Sequence, residues 1–98
     1  MKILAIENVM TEDIPFEQYM PHLNPETLRA WELMQANVLR EIYRSPNTFR
    51  HVLVFECATL EEAQAAVDSL PLVANKLTSF ELIGLGPYPG FERLFAQT

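Results

Sequence analysis

The chain has 98 residues, of which 49% are hydrophobic and 20% are charged, and its formal net charge is -6. This composition excludes an intrinsically disordered chain, and the length predicts a single domain over residues 1–98. The negative charge argues against nucleic acid and anionic membranes as partners, because both attract basic protein surfaces.

The first half of the chain predicts a strand followed by a helix. Residues 2–8 are apolar and bounded by polar residues, which is typical of a short strand. One or two helical turns are expected over 11–20, until Pro21 interrupts them. A helix over 25–36 is then predicted, with Asn24 as its N-cap.

The second half predicts a hairpin, a second helix and a final strand. Residues 38–58 contain two strand-forming segments separated by Ser-Pro-Asn-Thr, which has the composition of a turn. A capping box begins a helix over 59–70, and Pro71 ends it. Residues 78–85 form the last predicted strand.

The resulting order, β-α-β-β-α-β, is the split βαβ or ferredoxin-like arrangement. It predicts an α+β fold in which a four-stranded antiparallel sheet carries two helices on one face. The strands place apolar side chains on both faces, as Ile3 beside Leu4 and Val52 beside Leu53 illustrate. Since the helices can cover only one face, we expect a second copy of the sheet to cover the other, forming a homodimer.

Several segments resemble a known family. The helix end "DSLPL", the strand and tail "LIGLGPYPGF", and the hairpin strands "VLREIYR" and "HVLVFE" are similar to the muconolactone isomerase-like branch of the dimeric α+β barrel superfamily. The resemblance extends from about residue 24 to 91. It implies a homodimer in which two sheets face each other as a barrel, sometimes within larger rings. It also implies a pocket between sheet and helices, and a tail after Pro87 that reaches the partner.

The same resemblance implies a cofactor-independent isomerase that moves a proton in a small lactone or carboxylated substrate. This chemistry needs a general base, a group that stabilises the enolate, and a cation for a substrate carboxylate. Two distant histidines and one cysteine match no usual metal-ligand spacing, and the three glycines form no phosphate loop, so we expect neither metal nor cofactor. Cys57, the single cysteine, excludes an internal disulfide and favours a reducing, cytoplasmic location.

The candidate catalytic residues come from the predicted hairpin. If residues 44 and 50 pair across the turn, Tyr43 lies opposite His51, and Glu41 follows on the same face. These three side chains would form an acid/base cluster. The alternative is a partly exposed strand end with no catalytic value. The register is a hypothesis, because a slip of one residue exchanges the two faces.

Three further residues are candidates for substrate binding. Arg40, near Glu56, is either a clamp for an anion or an ordinary cross-strand ion pair. His22, just before the predicted helix, either faces a pocket or is solvated. Trp31 lies on the apolar stripe of that helix and is interpreted as core or pocket wall.

Three functions therefore stay open at this point. The first is the cofactor-independent isomerase, which the family resemblance favours. The second is a non-catalytic dimeric module of the same fold that binds a small molecule or serves as an accessory protein. The third is a cofactor-free oxygenase acting on an aromatic substrate that supplies its own reducing power.

Overall fold

The computed structural model describes residues 1–96 and shows an α+β fold with a four-stranded antiparallel sheet. The sheet order β2-β3-β1-β4 is compatible with the predicted ferredoxin-like arrangement. Residues 97–98 of the predicted domain lie outside the described part of the chain. The strands are β1 (Lys2–Glu7), β2 (Leu39–Arg44), β3 (His51–Glu56) and β4 (Phe80–Leu85), and the helices are α1 (Phe16–Gln35), α2 (Leu60–Asp68), α3 (Pro71–Ala74) and α4 (Gly90–Phe95).

The core lies on the face of the sheet against which α1 and α2 pack. Ile3 pairs with Phe55 and Ala5 with Leu53 in the two central strands, and all four side chains are buried. Each fully buried large apolar side chain contributes about 1.5–3 kcal/mol to folding. We call this side of the sheet the core face. The other elements contribute Leu33, Leu39, Ala63, Ala66, Val67 and Leu70 to the same cluster.

Helix α1 begins at Phe16 and continues through Pro21 and Pro25, so the expected interruption at Pro21 is wrong. Each proline lacks the N–H that would bond the carbonyl four residues earlier. The two carbonyls concerned belong to Glu17 and Pro21, both exposed residues, so water can bond them. Packing of the inner side of α1 on the sheet therefore outweighs the poor local propensity.

The apolar corner after α2 packs against α1 as the short helix α3. Leu70 is buried in the core, and Pro71 begins α3 without needing its missing N–H. The backbone N–H of Leu72 donates to the Glu26 carboxylate at 2.9 Å. The corner is therefore apolar because it is an internal contact rather than a surface turn.

The opposite side of the sheet, which we call the open face, is also apolar. Val54 at its centre is buried, whereas Ile83 and Leu85 on the edge strand are 38% and 40% exposed. Tyr43 on the other edge strand is exposed as well. The complete apolar set on this face is Leu4, Ile6, Tyr43, Val52, Val54, Ile83 and Leu85.

Residues 86–96, which we call the arm, follow β4 and end with α4. Tyr88 is 66% exposed and Phe95 is 81% exposed. The rings of Tyr88 and Phe91 meet edge to face with centroids 5.1 Å apart. The molecule measures 64 × 29 × 22 Å, which is elongated for its size. Within residues 1–96, no helix is both long enough and apolar enough to cross a membrane.

Candidate active site

A cavity of about 220 Å3 lies between α1, the core face and the corner at α3. Most of its wall is hydrocarbon, and the polar exceptions are Glu7, Glu26, Thr27 and His51. A mostly apolar cavity with a few convergent polar groups is the usual form of a small-molecule site. The apolar lining residues are Leu23, Ala30, Leu33, Leu39, Ile42, Leu53, Leu70, Leu72 and Phe80.

Glu7 and His51 meet at the end of the two central strands. Glu7 continues the side of β1 that carries Ile3 and Ala5, and His51 begins the side of β3 that carries Leu53. The Nδ1 atom of His51 lies 2.8 Å from Oε1 of Glu7. The backbone N–H of His51 donates to the same oxygen at 2.9 Å. The carboxylate therefore determines the orientation of the imidazole ring.

The second oxygen of Glu7 accepts a hydrogen bond from the hydroxyl of Thr78, which is a buried residue of the loop before β4. Burial raises the pKa of Glu7, but the hydrogen bonds from His51 and Thr78 outweigh it and hold this pKa below its ordinary value. Glu7 is therefore ionised at neutral pH and acts only as an acceptor.

The neutral imidazole consequently carries its hydrogen on Nδ1, and Nε2 has the free lone pair. Among residues 1–96, Nε2 of His51 has no hydrogen-bond partner. The side chain of His51 lines the cavity and is partly exposed. A histidine held in this way can take a proton from a molecule in the cavity.

Glu26 lies in the middle of α1, on the inner side that also carries Leu23, Ala30 and Leu33. Its Oε1 atom accepts the backbone hydrogen bond from Leu72. Burial raises the pKa of Glu26 above its ordinary value, with a smaller upward effect from the charge of Glu7, and the bond from Leu72 offsets only part of this rise. Glu26 thus retains its proton to a higher pH than an exposed glutamate does.

Two carboxyl groups with opposite pKa shifts therefore line the same cavity as His51. Such a divergence separates acid from base roles in a site that works near neutral pH. His51 can accept a proton and Glu7 orients it, while Glu26 can donate a hydrogen bond in its protonated form. The described residues contain no group of three or more histidine, cysteine, aspartate or glutamate side chains that could hold a metal ion.

The predicted catalytic cluster of Glu41, Tyr43 and His51 is divided between the two faces of the sheet. The hairpin pairs Arg44 with His51 and Tyr43 with Val52, so the expected register is wrong by one residue. The loop determines this pairing, because the backbone N–H of Ser45 donates to the carbonyl of Arg50 at 2.8 Å. A shift of one residue turns each side chain to the other face.

Glu41 and Tyr43 consequently lie together on the open face, away from the cavity. The Tyr43 hydroxyl donates to a carboxylate oxygen of Glu41. This hydrogen bond, together with the charge of Glu41, raises the pKa of Tyr43. Of the three predicted catalytic residues, only His51 lines the cavity.

Arg40 does not form the direct ion pair with Glu56, and it does not line the cavity. The Nε atom of Arg40 donates to the carbonyl of Asn37 at 2.8 Å, and the side chain is exposed. The Glu56 carboxylate instead pairs with the amino group of Met1 at 2.6 Å. A bulge in β2 between Leu39 and Glu41 displaces Arg40 from regular pairing, which explains the difference.

The other two predicted binding residues belong to α1 but lie outside the cavity wall. His22 is half-buried within the helix rather than ahead of it. Trp31 is 58% exposed, so it is neither core nor pocket wall. The inner side of α1 carries Thr27 and Ala30 in the cavity wall in place of the predicted apolar stripe through Trp31.

Sequence reasoning did not identify Glu7, Glu26 or Thr78 as site residues. Glu7 lies within the strand predicted over 2–8, and its spacing of two from Ala5 places it on a buried face. Glu26 falls in the first turn of the helix predicted over 25–36, where acidic residues are common and do not by themselves indicate a site. A charged residue that continues an apolar periodicity is the signal that could have identified both.

The chain was compared with models of protein families and with curated proteins, and neither comparison finds a match. The resemblance to muconolactone isomerase-like proteins therefore stays a prediction.

Proposed function

We propose that this protein is a cofactor-independent isomerase that moves a proton beside the carbonyl of a small molecule bound in the cavity. The observation that carries the proposal is the 2.8 Å contact between Nδ1 of His51 and the Glu7 carboxylate, in a mostly apolar cavity that Glu26 also lines. An apolar wall strengthens the electrostatic effects of these side chains, because it excludes water from the reacting groups.

The proposed reaction has two proton transfers. Nε2 of His51 takes a proton from the carbon between the carbonyl and the C=C bond of the substrate. The electrons of that C–H bond form a new C=C bond, and the π electrons of the carbonyl move onto its oxygen to give a dienolate. Glu26 donates a hydrogen bond to the carbonyl oxygen as negative charge develops there. Protonated His51 then returns the proton to the far carbon of the conjugated system, which shifts the double bond. Glu7 acts as a positioning residue for the imidazole.

The test uses a panel of small unsaturated lactones and ketones in deuterated water. Deuterium incorporation is measured by NMR, and the shift of the double bond by ultraviolet absorbance. We expect His51→Gln to lower kcat/KM by about 10²–10⁴-fold, as loss of a general base does. Arg40→Gln is the matched control, since Arg40 is exposed and outside the cavity. Retention of full activity by His51→Gln would contradict the proposal.

We also propose that the protein is a homodimer in which the open faces of two sheets pack together as a barrel. The exposed apolar side chains of Ile83, Leu85 and Tyr43 support this arrangement, because soluble monomers rarely expose extended apolar patches. The arm supports it too, since its aromatic residues are exposed on their own chain. The family resemblance implies the same assembly.

A further inference from the structure

We infer that the cavity accepts an uncharged carbonyl compound with a largely hydrocarbon body and excludes carboxylates. This inference rests on the proposed function and narrows its substrate class. The family resemblance allowed a carboxylated substrate, for which a cation in the site would be required.

The chemistry of the wall is the first ground for this inference. Four of the thirteen lining residues are polar, and two of these four are the acids Glu7 and Glu26. Neither arginine nor lysine lines the cavity. A carboxylate that enters would lose its hydration and gain no opposite charge in return, and such burial of an unpaired charge is strongly unfavourable.

The arginines on segments near the cavity are the second ground, because each is engaged elsewhere. Arg29 donates from Nε to the Ser69 hydroxyl at 2.8 Å, and its Nη1 lies 3.4 Å from the Glu32 carboxylate. Arg50 donates from Nε to the backbone carbonyl of Glu7 at 2.8 Å. Arg44, which pairs with His51 across the hairpin, places its guanidinium carbon 4.5 Å from the centroid of the Phe49 ring. None of these three arginines lines the cavity.

The polar groups that do line the cavity match a neutral carbonyl compound. Glu26 in its protonated form can donate one hydrogen bond to an oxygen, and the free Nε2 of His51 can face a weakly acidic C–H group. The remaining wall contacts a hydrocarbon body without any polar atom left unpaired. The arrangement therefore provides for one carbonyl or lactone oxygen.

The test compares three matched compounds: a β,γ-unsaturated γ-lactone with a methyl substituent, the same lactone with a carboxymethyl group, and the methyl ester of the latter. We expect kcat/KM for the methyl lactone and the ester to exceed that for the acid by at least about a hundredfold. Turnover of the acid equal to that of its ester overturns the inference and leaves the proposed isomerase intact.

Binding is measured separately, so that the inference is tested even in the absence of turnover. Binding is detected as the rise in the Tm of the His51→Gln variant when each of the three compounds is added. Stabilisation by the ester and not by the acid supports the inference, even if no compound is isomerised and the proposed reaction fails. Equal or greater stabilisation by the acid overturns it.

A positively charged side chain introduced into the cavity wall provides the complementary test. Thr27 is an exposed residue of α1 that lines the cavity, so a longer side chain fits there without disturbing the core. We expect Thr27→Arg to raise the ratio of kcat/KM for the acid to kcat/KM for the ester by at least about tenfold. Thr27→Gln, which adds length without charge, should leave the preference unchanged. An unchanged preference in Thr27→Arg contradicts the electrostatic explanation.

Discussion

Glu7 and Glu26 are the same amino acid in one cavity, yet their surroundings move their pKa values in opposite directions. Glu7 accepts three hydrogen bonds that favour its ionised form. Glu26 accepts one hydrogen bond. Its burial among apolar side chains and the nearby negative charge of Glu7 both favour its protonated form. Each shift links proton binding to folding, so each has a distinct effect on stability.

Glu7→Gln is expected to destabilise the fold in a way that depends on pH. Because the pKa of Glu7 is lower in the folded state, its ionisation stabilises the fold above the unfolded value of 4.5 and loses this effect as pH falls through the folded value. We expect Glu7→Gln to lower the free energy of unfolding at pH 7 by about 1.5–3 kcal/mol, the usual effect of hydrogen bonds to a charged group. Urea denaturation from pH 7 down to pH 3 measures this. A difference from wild type that stays constant over this range contradicts the prediction.

Glu26→Gln should have the opposite effect. A raised folded pKa means that protonated Glu26 favours folding below 4.5, and that this contribution is lost as pH rises through the folded value. The amide keeps an oxygen that can accept the bond from Leu72, so we expect the variant to be more stable than wild type at pH 7.5. This gain should disappear below pH 4.5. Glu17→Gln, at an exposed position of the same helix, is the control in the same urea titrations.

At the level of elements, the β-α-β-β-α-β order could be predicted because strand alternation, capping and turn composition are local signals. The register of the hairpin could not. Phe49 in its loop has a φ of 60°, in the left-handed region. Glycine or asparagine usually occupies such a position and so marks the turn in a sequence, but here a phenylalanine does. The Phe49 ring stacks under the guanidinium of Arg44 at 4.5 Å, a contact that no turn rule anticipates.

The site was predictable only in part, for a related reason. His51 was identified from its own strand, but Glu7 lies 44 residues away in sequence and Glu26 reaches the cavity from another layer. The start of α1 depends on packing against the sheet, which overrides Pro21 and Pro25. Such contacts between distant segments are not encoded in any local pattern.

The chain adopts a strained backbone conformation directly after α3. Lys76 follows the C-cap residue Asn75 and has a φ of 59°, a left-handed conformation that strains residues with a side chain. We expect Lys76→Gly to raise the free energy of unfolding by about 0.5–1 kcal/mol. Lys76→Ala removes the same charge but keeps a side chain in the strained conformation, so its free energy of unfolding should not exceed that of the wild type. Equal stability of the two variants in urea would refute the interpretation.

For the whole molecule, the testable feature is the proposed pairing of open faces. Ile83 is exposed on this face, so Ile83→Arg should leave the monomer core intact and separate the dimer by placing charges within an apolar interface. Sedimentation velocity at micromolar concentration measures the assembly. Glu61→Arg, on the exposed surface of α2, is the control for an added arginine. A wild-type monomer at this concentration contradicts the proposed dimer.

The arm is the second part of the proposed interface. Removal of residues 87–98 should weaken the dimer without melting the sheet, because the described residues of the arm are mostly exposed on their own chain. Dilution series of the truncated and full chains in sedimentation equilibrium give the two dissociation constants. An unchanged constant would show that the arm does not contact the second copy.

The elongated shape of the chain also affects how the molecule moves through solvent. The radius of gyration is 16.4 Å, whereas a compact chain of about 100 residues has roughly 13 Å. An isolated chain of this shape experiences extra friction, diffuses slowly and leaves a size-exclusion column early, as a heavier globular protein does. Elution volume calibrated with spherical standards would thus report too large a mass for a single chain. Light scattering, which measures mass independently of shape, distinguishes a long monomer from a compact dimer.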